Sequence, residues 1–296
     1  MQTISLAGCS VVIAGGDARE VVMAGELEKK GAQVWLYGFS RYQGPGSPCR
    51  QGLPVEADVM VFPLPGVGIE GYLYASYASH KVHLDDLESL LRPGLLLLCG
   101  RMPETYHKQL QDKGVNVILT ADLDELAIYN AVPTAEGAVE TAMRESDITI
   151  HGSDVLVTGF GRCAQPLALT LAGLGARVTV AARRREARAM AVALGLQAIS
   201  VAELPPAAHH FDFLFNTVPA PVLTDAVLSG CKKGALIVDI ASAPGGTDFD
   251  AARRLGIKSV LALGLPGKVA PVTAGKILAD VYPYLINEHR KGGEWG

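Results

Sequence analysis

Residues 152–185 read GSDVLVTGFGRCAQPLALTLAGLGARVTVAARRR, and this stretch decides how the whole chain is interpreted. An apolar run ending at Thr158 leads into Gly159-x-Gly161-x-x-Ala164, and an Ala- and Leu-rich helical run and a second apolar run follow. The order predicts strand, glycine turn, helix and strand, which is a βαβ unit. The first glycine makes the tight turn, and the second lets the backbone approach a pyrophosphate. The stretch therefore predicts dinucleotide binding, with the phosphates at the helix N-terminus.

The end of the second strand distinguishes the two nicotinamide dinucleotides. NAD-binding units carry an acidic residue about 20 residues past the glycines, which binds the ribose 2′-hydroxyl, whereas an arginine accommodates a 2′-phosphate. Here the position reads Ala181-Ala182-Arg183-Arg184-Arg185, and the first carboxylate, Glu186, is predicted to lie in the next helix. Guanidinium groups suit a phosphate, so the sequence favours NADP over NAD. The alternative is a solvent-exposed basic helix start.

Composition and charge exclude several classes of protein. The 296 residues are 49% hydrophobic and 19% charged and include 33 glycines, which is typical of a compact α/β enzyme of two domains. A net charge of −4 gives no basic field for nucleic acid. Apolar runs such as 95–99 are far below the roughly 20 residues of a membrane span, and the N-terminus lacks a secretion signal. We therefore expect a cytoplasmic protein, and the spacing of the five cysteines predicts no metal site.

The first half of the chain repeats the βα alternation without the dinucleotide fingerprint. An apolar strand at 10–14 leads into the turn Gly15-Gly16-Asp17-Ala18-Arg19, and a helix and a strand at 33–37 follow. Further strands are predicted at 58–63, 95–99 and 115–119, helices near 84–91 and 103–113, and a long loop at 38–57. Such alternation predicts a mostly parallel sheet with helices on both faces.

A helix is predicted to begin where the two predicted domains meet. In the segment 130–136, NAVPTAE, Pro133 would lie in the first turn, with Thr134 or Asn130 as the cap. The predicted fold class is α/β, with two doubly wound, mostly parallel-sheet domains, the second a Rossmann dinucleotide-binding domain. We assign 1–131, with a returning C-terminal helix at 273–296, to a substrate or partner domain, and 132–272 to the NADP-binding domain.

Three loops follow predicted strands of the second domain at the edge where a nucleotide-binding sheet holds its ligand. They begin at Asn216, Ala241 and Gly264, and the second includes Thr247, a candidate cap for the next helix. We expect these loops to surround the nicotinamide half of the cofactor. The predicted cofactor-binding residues are Gly159, Phe160, Gly161, Arg162, Ala182, Arg183, Arg184, Asn216, Thr217, Val218, Pro219 and Ala241.

Six collinear blocks carry more than a fold. They are GGDAR (15–19), AIYNAVPTAEG (127–137), ITIHGS (148–153), VTGFGR (157–162), ASAPGGTDF (241–249) and GLPGKVAPVTAG (264–275). In these blocks, which span nearly the whole chain, the sequence resembles the A subunits of dipicolinate synthase. The third block with PGGTDF and GLPGKVAP separates it from generic hydroxyacid dehydrogenases. The resemblance implies a role in sporulation, in the mother cell of a spore-forming bacterium, and a flavoprotein-like partner, the B subunit of the synthase.

The resemblance also implies a reaction. A cyclic imine dicarboxylate, 4-hydroxytetrahydrodipicolinate or the dihydrodipicolinate formed from it by loss of water, would give a hydride to NADP⁺ and lose a proton to become an aromatic pyridine. Two carboxylates need cationic or N–H donors, and Arg19, Lys268 and the N–H groups of Gly15-Gly16 and Gly245-Gly246 are candidates. The candidate catalytic residues are Asp17, Arg19, Glu136, Ser242 and Lys268.

The proton acceptor is left open among Asp17, Glu136 and Asp248, with Asp17 favoured because it lies beside Arg19. In each case a structural role is the alternative. The Asp17 turn would then carry a solvated salt bridge, Glu136 would close a helix start and Lys268 would be solvated.

Two other functions compete with this dehydrogenase. One is an NADP-binding scaffold or sensing subunit whose flavoprotein partner performs the chemistry. The other is a 2-hydroxyacid dehydrogenase, which needs a catalytic histidine, but His151, His209 and His210 all precede strands and so belong to the wrong edge of the sheet. The oligomeric state is left open, a homo-oligomer included.

Overall fold

The computed structural model describes residues 4–44 and 49–292. The chain divides into two compact units, Met1–Ala127 with Pro271–Gly296, and Ile128–Ala270. Each unit contains a sheet of six strands among the described residues, and every pair of neighbouring strands is parallel. The predicted fold class is confirmed.

The first sheet has the order β3-β2-β1-β4-β5-β6. Its strands are β1 (Ser10–Ala14), β2 (Gln33–Tyr37), β3 (Arg50–Gln51), β4 (Val59–Val61), β5 (Leu96–Cys99) and β6 (Asn116–Leu119). The second sheet has the order β9-β8-β7-β10-β11-β12. Its strands are β7 (Asp154–Thr158), β8 (Arg177–Ala181), β9 (Gln197–Ile199), β10 (Phe213–Asn216), β11 (Leu236–Asp239) and β12 (Lys258–Leu261). Counted within each unit, both orders are 3-2-1-4-5-6, the doubly wound order of dinucleotide-binding sheets.

The helices cover both faces of these sheets. They are α1 (Ala18–Lys29), α2 (Glu104–Asp112), α3 (Asp124–Glu145), α4 (Ala164–Gly173), α5 (Arg185–Ala193), α6 (Leu204–Ala207), α7 (Asp225–Leu228), α8 (Phe249–Leu255), α9 (Leu265–Val269) and α10 (Pro271–Arg290). Short 3₁₀ helices occupy Leu84–Leu90, Thr120–Asp122, Val201–Glu203 and Ala208–His210. Over the described ranges, no helix has the length and apolar character that crossing a membrane requires.

The central strands β1 and β7 have apolar interiors because both of their faces are buried. In β1, Val11 and Ile13 belong to one core cluster, and Val12 belongs to the cluster on the opposite face. In β7, Val155 and Leu156 are divided in the same way between two clusters. Successive side chains of a strand point to opposite faces, so a parallel strand covered by helices on both sides reads as a continuous apolar run.

The predicted helix start at 130–136 is wrong. Helix α3 runs without a break from Asp124 to Glu145 and contains Pro133 in its interior. A proline there has no N–H to donate to the carbonyl of residue 129. The helix continues nonetheless, because its apolar face is buried at Ala135, Ala138 and Ala142. The passage between the two units therefore lies inside a helix.

Other differences are local. The run at 84–91 forms a 3₁₀ helix, and part of the predicted loop at 264–271 forms α9. The predicted loop at 38–57 includes β3, and its residues 45–48 lie outside the described residues. Thr247 does not cap α8; the cap is Asp248, whose carboxylate accepts the Ala251 N–H at 2.9 Å. An aspartate supplies the same acceptor one residue later, which the sequence pattern alone does not resolve.

Candidate dinucleotide-binding site

The candidate site lies where the winding of the second sheet reverses, between β7 and β10. Ligands of doubly wound sheets bind outside the carboxyl ends of the strands at this point. Gly159 follows β7 with φ +82, and a Cβ there would lie 2.9 Å from both Thr217 Oγ1 and Val218 Cγ2. The turn therefore requires glycine for its backbone conformation and for its close contact with the loop after β10.

Gly161 has a different role from Gly159. A Cβ built at Gly161 meets no atom within 4 Å, so its neighbourhood is open. Helix α4 begins three residues later with Pro166 in its first turn, as predicted, and without an acidic side chain in that turn. The first N–H groups of a helix have no intrahelical partner and carry its positive dipole end. The start of α4 is therefore suited to bind an anion.

A cleft of about 410 Å³ opens beside this turn. It brings together seven of the predicted cofactor-binding residues, and Ala181, Ala187, Val201 and Val222 complete its wall. The seven are Gly159, Phe160, Gly161, Ala182, Arg183, Arg184 and Val218. The other five predicted residues, Arg162, Asn216, Thr217, Pro219 and Ala241, are not part of this wall.

Two exposed arginines stand at the rim of the cleft. Arg183 and Arg184 follow β8, and in the part of the chain that the structure describes neither side chain has a hydrogen-bond or ion-pair partner. Their backbone is held by Arg188, whose Nη1 donates to the carbonyls of Ala182 and Arg183, each at 2.8 Å. Glu186 lies in α5, as predicted. The end of β8 thus presents guanidinium groups and no carboxylate.

The side chain of Asn216, one of the predicted cofactor-binding residues, is bound by other groups of the protein. Asn216 is fully buried, and its Oδ1 accepts from Thr158 Oγ1 at 2.5 Å and from the Val218 N–H at 3.2 Å. Its Nδ2 donates to the Val218 carbonyl at 3.1 Å and to Asp239 Oδ2 at 3.0 Å. The amide group therefore has no free donor or acceptor for a ligand.

The partners of Asn216 were missed in the sequence. Thr158 and Asp239 are also fully buried and end β7 and β11, the two neighbours of β10. Asp239 was detectable in principle, because a charged residue ends the otherwise apolar run ALIVDI at 235–240. The three side chains form one hydrogen-bonded row across the carboxyl ends of three strands, which we call the strand-end network.

The residues of this site fit a dinucleotide. The open space at Gly161 leaves room for a pyrophosphate at the start of α4, and the apolar wall of the cleft suits an adenosine group. The rim supplies cationic forks for a further phosphate.

In the glycine turn of the first unit, both glycine N–H groups donate to backbone carbonyls of the same unit. The Gly15 N–H donates to the Tyr37 carbonyl at 2.9 Å, and the Gly16 N–H donates to the Tyr74 carbonyl at 2.7 Å. In the second unit, Gly245 donates to the Ser242 carbonyl and Gly246 to Asp239 Oδ2. The prediction that these N–H groups hold substrate carboxylates is therefore wrong, since each already has an acceptor.

Asp17 and Arg19 bind each other. Arg19 is 5% exposed, and its Nε and Nη2 donate to the two oxygens of Asp17. Burial alone would raise the pKa of Asp17, but the hydrogen bonds and charge of Arg19 outweigh it and hold the pKa below its usual value. The pairing argues against Asp17 as the proton acceptor, because a carboxylate with a lowered pKa and three accepted hydrogen bonds binds a proton poorly.

Glu20 lies beneath this pair. It is 1% exposed, its Oε2 accepts the Asp17 N–H at 2.8 Å, and its Oε1 has no hydrogen-bond partner. Burial raises the pKa of Glu20 to about 7, against the opposing charge of Arg19 and with the charge of Asp17 adding to the shift. The sequence analysis did not single out Glu20, and its place at the third helical position is the ordinary place for the Glu of a capping box.

The remaining predicted catalytic residues, Glu136, Ser242 and Lys268, are exposed side chains of the second unit. Ser242 follows β11 and Lys268 lies in α9 after β12, both beyond the carboxyl ends of their strands. Glu136 lies in the middle of α3. A second cleft, of about 450 Å³, is lined by Lys268, Glu140 and Arg144 together with the end of β12. The roles of these three residues stay predictions.

The histidines of the second unit lie away from the ligand-binding edge. His151 precedes β7, and His209 and His210 precede β10, as expected from the sequence. Within residues 4–44 and 49–292, no group of three or more His, Cys, Asp or Glu side chains is placed to hold a metal ion.

Comparison with known proteins agrees with this geometry. Residues 10–121 match the family model of the N-terminal domain of the dipicolinate synthase A subunit, and residues 100–246 match that of the D-isomer specific 2-hydroxyacid dehydrogenase NAD binding domain. The second unit therefore carries a dehydrogenase-type domain for a nicotinamide dinucleotide.

Two relatives match the chain over nearly its whole length. The chain is 34% identical to the dipicolinate synthase A subunit of Bacillus subtilis over 289 residues, which covers 96% of this chain and 97% of that protein. The crystal structure of the dipicolinate synthase A subunit from Bacillus halodurans superposes with a TM-score of 0.88 at 32% identity, covering 95% of this chain and 99% of that one.

A transhydrogenase from Sinorhizobium meliloti shares the fold alone, with a TM-score of 0.68 at 18% identity, covering 94% of this chain and 91% of that one. The family assignment rests on the closer relatives, which match over nearly their whole length and over both units. The chain belongs to the family of dipicolinate synthase A subunits.

Proposed function

We propose that this chain is the NADP-dependent dehydrogenase subunit of a dipicolinate synthase, and that it oxidises dihydrodipicolinate, formed from 4-hydroxytetrahydrodipicolinate, to dipicolinate. The flavoprotein-like B subunit of the synthase would be its partner, in the mother cell of a sporulating bacterium. The observation that carries the cofactor choice is the pair Arg183 and Arg184 at the rim of the glycine-turn cleft, without a carboxylate at the end of β8. The choice of substrate rests on the family to which the chain belongs.

The reaction balances without a further reactant. NADP⁺, when bound, supplies the acceptor for a hydride from a ring carbon, and the substrate releases one proton as the ring becomes aromatic. The gain of aromaticity favours this direction, so the main tasks left to the protein are positioning and holding charge.

The chain's own residues divide these tasks. The start of α4 would bind the pyrophosphate, and Arg183 and Arg184 the 2′-phosphate, with Arg188 holding their backbone in place. Lys268 would hold a substrate carboxylate, because its ammonium is exposed and has no ion-pair partner among the described side chains. Ser242 would donate its hydroxyl to the same substrate, and Glu136 would accept the proton.

Calorimetric titration with NADPH and NADH tests the cofactor choice. Two charge-assisted bonds to a 2′-phosphate, each contributing roughly 1.5–3 kcal/mol, should give NADPH at least about a tenfold advantage at low salt. Arg183→Ala and Arg184→Ala should each reduce that advantage and leave NADH binding unchanged. Arg185→Ala is the matched control, since Arg185 is exposed on the same turn and outside the wall of the cleft. Equal affinities for the two dinucleotides would refute NADP specificity.

Single-turnover hydride transfer separates an enzyme from a scaffold. The purified chain, mixed with NADP⁺ and the cyclic imine dicarboxylate, should form NADPH, alone or after addition of the partner. If NADPH never forms although both dinucleotide and partner bind, the chain is a scaffold or a sensor, and the partner performs the redox chemistry. Lys268→Ala should raise KM for the substrate with little effect on cofactor affinity.

A further inference from the structure

The strand-end network has a single direction of hydrogen bonding. The Thr217 N–H donates to Thr158 Oγ1 at 3.4 Å, and Thr158 Oγ1 donates to Asn216 Oδ1. Asn216 Nδ2 then donates to Asp239 Oδ2. A carboxylate is an acceptor only, so Asp239 determines which end of the Asn216 amide faces it. The amide oxygen is thereby left to receive Thr158 and the Val218 N–H.

Asp239 receives its hydrogen bonds from neutral groups. Its Oδ1 accepts the Ala241 N–H at 2.9 Å, and its Oδ2 accepts the Gly246 N–H at 3.4 Å besides the Asn216 amide. In the described part of the chain it has no ion-pair partner, although its side chain is fully buried. Burying the carboxylate of an aspartate in this position costs free energy, and a neutral residue of the same shape would avoid that cost. Both oxygens of Asp239 accept hydrogen bonds, which a neutral residue of the same shape could not do at both positions.

The network ends at the wall of the dinucleotide cleft. Asn216 binds both backbone groups of Val218, and Val218 lines the cleft beside Gly159. Thr217 Oγ1 donates to the Thr158 carbonyl at 2.7 Å, which holds the same loop against the glycine turn. On the other side, the backbone of Gly246 lies so close to the Val218 carbonyl that a Cβ there would overlap it. Groups at or beyond the ends of β7 and β11, the two neighbours of β10, therefore fix the position of Val218 in the wall of the cleft.

We propose that Asp239 is a positioning residue for dinucleotide binding: through Asn216, its carboxylate holds the Thr217-Val218 loop against the glycine turn. It acts on the wall of the cleft and does not contact the ligand, because it is fully buried. The proposal rests on dinucleotide binding by this cleft and not on the preference for NADP.

Asp239→Asn tests the proposal because it keeps the shape and changes one acceptor into a donor. Either its new amide nitrogen faces the Asn216 Nδ2, or it faces the Ala241 N–H, and both arrangements oppose two donors. We expect the affinity for NADPH, measured by calorimetry, to fall about tenfold to a hundredfold, which corresponds to about 1.4–2.8 kcal/mol. Asn216→Asp places two carboxylates at the same contact and should weaken binding by at least as much.

The double variant distinguishes hydrogen-bond direction from general damage. Asp239→Asn with Asn216→Asp restores a donor and an acceptor at the 3.0 Å contact and keeps an acceptor for the Thr158 hydroxyl and the Val218 N–H. It does not restore the bonds to the Val218 carbonyl and from the Gly246 N–H, so the rescue is measured against Asn216→Asp and is expected to be partial. It should bind NADPH at least about tenfold more tightly than Asn216→Asp alone. Losses that simply multiply in the double variant would overturn the proposal.

Asp212→Asn is the matched control. Asp212 precedes the same strand β10 at its opposite end, where its Oδ2 accepts the Asp154 N–H and its Oδ1 pairs with Lys232. Its substitution should lower the unfolding midpoint without changing NADPH affinity. Affinities are measured well below the midpoint of each variant, and Asn216→Asp serves if Asp239→Asn does not fold.

Unchanged affinity in both single variants would refute the positioning role. If the unsubstituted chain binds NADH and not NADPH, the proposed cofactor is wrong, and the same variants are titrated with NADH. If it binds neither dinucleotide, both the proposed function and this role are wrong.

Discussion

Asp17 and Arg19 form a two-pronged ion pair at the start of α1, with Nε and Nη2 of the arginine each 2.9 Å from a carboxylate oxygen. The side chains are 6% and 14% exposed for Arg19 and Asp17, so the pair is shielded from solvent. The Arg19 N–H adds a third bond to Asp17 Oδ1. The pairing gives the turn a structural role, and the catalytic role predicted for Arg19 stays a prediction.

Arg19→Ala should therefore destabilise the chain by about 3 kcal/mol, because it leaves a partly buried carboxylate without its partner. Arg19→Lys keeps the charge but not the planar fork, and should recover only part of the loss. Urea unfolding measures both. Lys29→Ala is the control on the same helix, since its pair with Glu26 is 72% and 28% exposed and should contribute less than about 1 kcal/mol. A loss for Arg19→Ala no larger than that of the control would contradict this assignment.

The raised pKa of Glu20 predicts that the free energy of unfolding falls as pH rises. Its folded-state pKa, raised by burial to about 7, lies above the usual 4.5, so the folded chain holds this proton more tightly than the unfolded chain. The stabilisation is fully present below about pH 4.5 and is lost as pH rises to about 7, up to about 3 kcal/mol in total. Asp17, with its lowered pKa, acts in the opposite sense and only at lower pH.

Glu20→Gln should flatten this dependence. The unfolding free energy of the variant, minus that of the unsubstituted chain, should increase steadily between pH 5 and pH 7.5. Glu28→Gln, on the same helix, is the matched control. Parallel curves for Glu20→Gln and the unsubstituted chain would show that Glu20 is ionised in the folded state throughout.

The two glycines of the turn should respond differently to substitution. Gly161→Val should abolish dinucleotide binding and leave the chain folded, because a Cβ there meets no protein atom within 4 Å and the branched side chain would project into the space proposed for the pyrophosphate. Gly159→Ala should lower the unfolding midpoint, because φ is +82 and the methyl group would press against Thr217 and Val218. Circular dichroism with calorimetry separates the two effects. Retained NADPH affinity in a folded Gly161→Val chain would locate the pyrophosphate elsewhere.

Arg188→Ala should weaken NADPH binding more than NADH binding. The arginine holds the carbonyls of Ala182 and Arg183, so its loss frees the backbone that carries the two guanidinium groups at the rim. We expect the NADPH preference to fall about threefold to tenfold. Arg188→Lys tests whether charge alone suffices. If lysine fully restores the preference, Arg188 acts through its charge and not through these hydrogen bonds.

Much of this protein was readable from local patterns. The βαβ unit at 152–185, the glycine turn at Gly159 and the place of Pro166 follow from residues close together in sequence, because turn conformation and strand or helix periodicity are local properties. The parallel sheets followed from the alternation of strands and helices. The six blocks of resemblance identified the family, which the comparisons confirm.

The tertiary structure decided which polar side chains are available. Asn216 ends β10 and Arg19 lies in the first turn of α1, and both look equally suited to a ligand in the sequence. In the structure, Asn216 is bound by Thr158 and Asp239, and Arg19 is bound by Asp17. For Asn216 these partners lie 58 and 23 residues away in the chain. Only the pairing of three parallel strands brings them together, and a buried polar group must find such partners. The continuity of α3 through Pro133 was likewise decided by packing, since the buried face of the helix outweighs the local signal to begin anew.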